Sequence, residues 1–121
     1  MSVLTAFNNI VIDFIDDCIL VFPQDKHFRG YKQALLLLKK VNPRMISSSF
    51  KEYILPYQKY IEEKNEHFFL NSNYEEFQQT EDVKSVINQI KGYWRDPNLS
   101  QSNKDKIWDY VIVLYTLSKK L

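Results

Sequence analysis

Two groups of residues in this chain of 121 are of types that do chemistry. Asp13-x-x-Asp16-Asp17 clusters carboxylates within one helical neighbourhood. Such spacing holds Mg²⁺ in enzymes acting on diphosphates, because hard cations take oxygen ligands. Those enzymes also need a large cavity and usually a second acidic cluster on a facing helix. The expectation here is therefore a solvated acidic face. Glu62, Glu63, Glu66 and His67 resemble metal ligands by type. The di-iron pattern of glutamate followed three residues later by histidine fails, because position 64 is lysine. The zinc-protease pattern H-E-x-x-H is absent as well.

Nucleophilic chemistry finds no better footing. Cys18 is the single cysteine and lies in an apolar run, so a buried thiol is expected rather than a nucleophile or a disulfide partner. Nothing in the sequence supports its pairing with His27. With Gly30 and Gly92 alone, a glycine-rich phosphate loop can hardly be built. The reading is no enzyme, no cofactor and no metal.

The elements that must carry these residues are helical. The composition has 45% hydrophobic and 26% charged residues, with two Gly and four Pro, too few for the many tight turns of a β-sandwich. Val3, Phe7, Ile10, Val11, Phe14 and Cys18 recur at helical spacing, and Pro23 closes that first segment. Asp25 is placed to cap a second helix ending near Val41, whose run Ala34-Leu35-Leu36-Leu37-Leu38 suggests central burial. Asn42-Pro43 reads as cap and first position of a third helix, which Pro56 should kink or break. Residues 62–79 read as a loop with a short helical turn, anchored by Phe68, Phe69, Tyr74 and Phe77. Thr80 suits the cap of a helix carrying Val83, Val86, Ile87, Ile90 and Trp94. After the turn Asp96-Pro97-Asn98, Ser100 or Ser102 begins the last helix.

That last helix contains Ile107-Trp108-Asp109-Tyr110-Val111-Ile112-Val113-Leu114-Tyr115, where local preference favours a strand. Its length and charge placement favour a helix, with Asp105, Asp109, Thr116 and Lys120 on one polar edge. Such a helix is either surrounded by its own domain, which is the expectation, or offers part of its face to another chain. The fold class expected is all-α: residues 1–121 as one domain, a bundle of roughly five to six helices around helix two and a central C-terminal helix.

Charge is balanced overall, with 16 basic and 15 acidic residues, but it is unevenly distributed. Lys26, Arg29, Lys32, Lys39, Lys40 and Arg44 face only Asp25 in their stretch, whereas seven carboxylates between Glu62 and Asp82 face only Lys64. The six cations form a candidate phosphate or nucleic-acid stripe, the competing reading being the solvated face of an amphipathic helix. The acidic segment can instead pair with the basic one, within the chain or between copies. Aromatics reach 15%, and Tyr53, Tyr57, Tyr60 and Tyr93 are candidate protein-interface residues, unless they pack between helices. No basic leader with an apolar core and small-residue cleavage site opens the chain, and no run of about 18 apolar residues suggests a membrane span.

Phe22-Pro23-x-Asp25 with Tyr31 and the leucine run, Asn42-Pro43-Arg44, Phe68-Phe69-Leu70 with Tyr74, Tyr93-Trp94 and Lys106-Ile107-Trp108-Asp109-Tyr110 occur in that order. In this respect the chain resembles small helical proteins of nucleocytoplasmic large DNA viruses, including giant viruses of algae and amoebae. The resemblance covers about residues 7 to 119 and rests on short, mainly structural motifs. It implies a helical viral protein in the cytoplasm of an infected cell or in the virion, and lends no catalytic or binding residue. The expected function is a non-enzymatic interaction protein, a virion component or protein–protein adaptor with a viral, host or self partner. The alternative is a nucleic-acid-binding accessory protein using the basic stripe.

Overall fold

A computed structural model describes residues 2–71 and 81–121, leaving out the side chains of Tyr53 and of residues 81–87. Among the described residues there are seven α-helices and no strand. They are α1 (Val3–Val21), α2 (Lys26–Val41), α3 (Met45–Tyr53), α4 (Gln58–Glu62), α5 (Glu66–Asn71), α6 (Glu81–Trp94) and α7 (Gln101–Ser118). The number exceeds the sequence expectation because the region after Pro56 breaks into short pieces. A 3₁₀ turn at Leu55–Tyr57 separates α3 from α4, with the proline in its first turn.

Two caps read from the sequence are present: Asp25 accepts from the amide of His27 and Ser100 from that of Asn103. Ser2, not read as a cap, also accepts from the amide of Thr5. Asn42 departs from expectation. It ends α2 through its backbone, whose N–H donates to the Leu38 carbonyl, and α3 starts only at Met45. Pro43 lies in the intervening turn, where the Asn8 side chain of α1 donates to its carbonyl at 2.9 Å. Thr80, Tyr74 and Phe77 lie outside the described residues.

The packing order also differs from the expected one. Helix α1 contacts α2, α3 and α7, while α7 packs on α1, α3 and α4. The centre is thus shared between α1 and α7 rather than between helix two and the C-terminal helix. Phe7, Ile46 and Leu114 form one core cluster, with Ile10, Leu35, Leu38 and Phe50 against it. Ile15, Cys18 and Phe28 form a second, joined by Phe14, Phe22, Tyr31, Ile90 and Tyr93. A third group of rings sets Phe69, Trp94 and Trp108 edge to face, with centroids 5.5 to 6.3 Å apart.

The strand-like segment of α7 is helical, and its polar edge is as read: Asp105, Asp109, Thr116 and Lys120 are exposed. Val113 shares that edge, whereas Leu114, Tyr115 and Ser118 are buried. The leucine run of α2 is not centrally buried. Leu35 and Leu38 pack inward, while Ala34 and Leu37 face outward, because a helix laid on one side of α1 buries only one stripe. No helix of the described residues is long and apolar enough to cross a membrane.

Phe7 is fully buried and stands edge to face on Phe50 at 5.4 Å. Phe7→Ala should lower the unfolding free energy by about 3–5 kcal/mol, read as a lower urea midpoint at unchanged slope.

Candidate protein-docking face

Helix α2 has two sides with different duties. Its inner side meets α1 through Phe28, Tyr31, Leu35 and Leu38, and two of its cations are used there. Lys32 Nζ lies 2.6 Å from Asp16 Oδ1, and Lys39 Nζ donates to Asn9 Oδ1 at 2.7 Å. The acidic cluster of α1 is therefore only partly solvated, in contrast to expectation. Asp16 meets Lys32, Asp17 accepts from the Tyr110 hydroxyl of α7, and Asp13 alone remains fully exposed. Burial of the phenol at this contact is secondary to the Asp17 hydrogen bond; together they push the Tyr110 pKa up to about 12.

The outer side of α2 carries Gly30, Ala34, Leu37 and Val41, spaced by four, three and four residues, all exposed. Met45, at the start of α3, is exposed beyond them. Leu37 is 64% exposed and Val41 74% on α2, and Met45 47% at the start of α3, high values for apolar side chains. Lys26, Arg29 and Lys40 border the row, and Arg44 stands at its end, all four exposed. Arg29 donates to the Pro23 carbonyl at 3.2 Å. Among the described residues, none of these four makes an ion pair.

Gly30 has no role in the packing of its own chain. A Cβ placed there would meet nothing within 4 Å, and its φ is not positive. A glycine inside a helix costs about 0.5–1 kcal/mol relative to alanine, so this one is a local weakness that nothing in the described contacts offsets.

The orientation of this face is set at the start of α2 by Asp25. Its residue is only 8% exposed, and its carboxylate receives the His27 amide at 2.8 Å. His27 Nδ1 lies 2.9 Å from the same oxygen, which places the proton on that nitrogen when the carboxylate is ionised. The other oxygen accepts from Gln89 and from the Tyr93 hydroxyl, both on α6. Tyr93 also stacks on Phe22, with centroids 3.7 Å apart. Burial would raise the Asp25 pKa, but the hydrogen bonds from Tyr93, His27 and Gln89 outweigh it and hold the carboxyl below its ordinary value. The Tyr93 phenol is shifted up, by burial first and by the Asp25 contact second.

The candidate tyrosines are placed differently from one another. Tyr93 belongs to this internal knot. Tyr60 stacks flat on Phe68 at 3.5 Å, and Tyr57 meets the same ring at 5.6 Å, both half-buried. The Tyr53 side chain lies outside the described residues. Of the basic stripe, Lys26, Arg29, Lys40 and Arg44 share the outer surface, and Lys32 and Lys39 do not. Sequence reasoning missed the apolar row between the cations. The signal was present in Leu37 and Val41 at i and i+4, but a leucine run looks the same whether its far side is covered or bare.

The other chemical groups are scattered. Cys18 sits with Ile15 and Phe28, where burial, reinforced by Asp17, pushes its thiol up to about 12. The cavity beside it, lined by Phe14, Val21, Ile107 and Tyr110, measures about 20 Å³, room for about one water. Glu62 accepts from the Tyr115 hydroxyl at 2.7 Å, Glu66 lies 3.8 Å from Lys104, and His67 meets Asn71. Among the described residues no three His, Cys, Asp or Glu gather as a metal site. Among the described residues, the ion pairs of the acidic stretch, Lys104–Glu66 and Lys64–Asp109, run to α7; Glu75, Glu76 and the side chains of Glu81 and Asp82 lie outside the described residues. Compared with known families, with curated proteins and with solved structures, the chain matches none.

Two outcomes follow from this geometry. Asp25→Asn should destabilise the fold by about 1–3 kcal/mol near pH 7, because a buried, fully bonded acceptor is replaced by one that also presents donors. The folded carboxyl titrates below its ordinary 3.8, so its contribution is complete above that pH and disappears as acid carries the solution through the lower folded value. In urea unfolding, the gap between wild type and Asp25→Asn should therefore close in acid. Gly30→Ala should instead raise stability by about 0.5–1 kcal/mol, seen as a higher urea midpoint.

Proposed function

We propose that this protein is a non-enzymatic interaction protein that docks another polypeptide on the outer face of α2. The observation that supports this reading is the row Leu37, Val41 and Met45 left open to water beside Lys26, Arg29, Lys40 and Arg44. Burying one such aliphatic side chain is worth about 1.5–3 kcal/mol, so a partner covering three gains a substantial part of a micromolar affinity. Among the described residues, the reactive groups are scattered and the cavity beside Cys18 holds about one water, which supports a binding rather than a catalytic reading. The viral resemblance of the sequence suggests a setting, an infected cell or a virion, in which a small adaptor would act.

A second reading is favoured by the four exposed cations that make no ion pair among the described residues. They would serve an accessory protein bound to nucleic-acid phosphates, with affinity falling steeply as salt rises.

Size-exclusion chromatography with light scattering separates the two readings. With a mixed DNA and RNA pool at physiological salt, the protein should elute unchanged. In a pull-down with the wild type as bait, a protein lost on the Leu37→Glu/Val41→Glu variant is expected. A shift with nucleic acid that disappears in Lys26→Glu/Lys40→Glu, with no such protein, would replace the first reading by the second.

A further inference from the structure

The proposed docking face of α2 carries more information than its exposure. We infer that its occupant is an acidic amphipathic helix of another polypeptide, laid along the row from Gly30 to Val41; this rests on the docking reading above. Three features select that occupant.

The first is charge. Lys26, Arg29, Lys40 and Arg44 border or end the row, and the one carboxylate of residues 24–44, Asp25, is buried and occupied by His27, Gln89 and Tyr93. Among the described residues of this helix, the face is therefore basic at both ends. A second copy of the same face would bring cations against cations, which opposes self-pairing. A strip of glutamates or aspartates beside an apolar row satisfies both components at once.

The second is shape. The row lies on one uninterrupted helix and covers eleven residue steps, about 16 Å at about 1.5 Å per residue. Three turns of an opposing helix match that length, presenting apolar residues at i, i+3 or i+4, and i+7. The third is the narrow end. Gly30 and Ala34 are four residues apart and both exposed, and the space above Gly30 is open, so an opposing backbone can approach closely there. The larger Leu37 and Val41 then enter the spaces between partner side chains at the other end. An anionic bilayer offers charge but has no use for that taper.

The test uses the full-length protein and a synthetic fluorescein-labelled helical peptide of about 18 residues, with leucine at i, i+3, i+4 and i+7 and glutamate on its flanks. A control peptide carries lysine at every glutamate position, and vesicles of phosphatidylserine and phosphatidylcholine serve as the third probe. Fluorescence anisotropy should show the acidic peptide bound at least about tenfold more tightly than the lysine peptide, and weakened by salt. Leu37→Glu/Val41→Glu should abolish that binding, and Lys26→Glu/Lys40→Glu should reduce it by about tenfold. These positions are exposed, so circular dichroism of each variant should match the wild type. Equal binding of both peptides, lost in Leu37→Glu/Val41→Glu, would overturn the acidic partner and leave the docking face standing. Binding to vesicles with neither peptide bound would overturn a protein occupant in favour of a membrane surface. Binding of the acidic peptide unaltered by either double variant, or no binding of any probe, would overturn both the occupant and the face.

Discussion

The buried carboxylate of Asp25 is the interaction on which the arrangement turns. It caps α2, receives the ring of His27 and holds Gln89 and Tyr93 of α6. One residue thus fixes where α2 begins and ties a distant helix to that point. A charge this buried is unfavourable unless its lone pairs are filled, and here they are filled by Gln89 and Tyr93 of α6, 64 and 68 residues on, and by His27, 2 residues on. Phe22, which stacks on Tyr93 and on Phe28, gives the same joint its apolar half. The outer face of α2 points where it does because the inner face is held at this end by Asp25 and at the other by Asn8 against the Pro43 carbonyl.

Much of the architecture was legible because helical rules are local. Amphipathic spacing with Pro23 gave α1, Asp25 and Asn42-Pro43 bounded α2, and Ser100 with length and charge gave α7, each within about two residues of its ends. Asp25 was legible as a cap, but its second pair of hydrogen bonds was not, since nothing local connects it to Gln89 and Tyr93. The strand-like Tyr110–Tyr115 stretch was resolved by length and charge rather than by preference, and tertiary packing agrees.

What failed to be legible shares one cause: sequence does not say which side of a helix is covered. Leu35 and Leu38, which continue the stripe of Phe28 and Tyr31, pack on the core, while Leu37 between them is bare; the leucine run taken alone suggested burial on most sides. The same gap split the basic stripe, because Lys32 and Lys39 turned out to serve Asp16 and Asn9 of α1. Tyr57, Tyr60 and Tyr93, read as interface candidates unless they pack between helices, lie against Phe68 and Phe22 and remain half-buried. Each depends on a neighbour distant in the chain.

The two tryptophans of the chain, Trp94 and Trp108, stand 5.7 Å apart in a single ring cluster with Phe69. That cluster joins α5, α6 and α7, and no ring of it belongs to α2. Indole emission from this molecule therefore reports on one junction only. It responds when the bundle opens and stays silent when something settles on α2, so the two events are optically separate in the native chain.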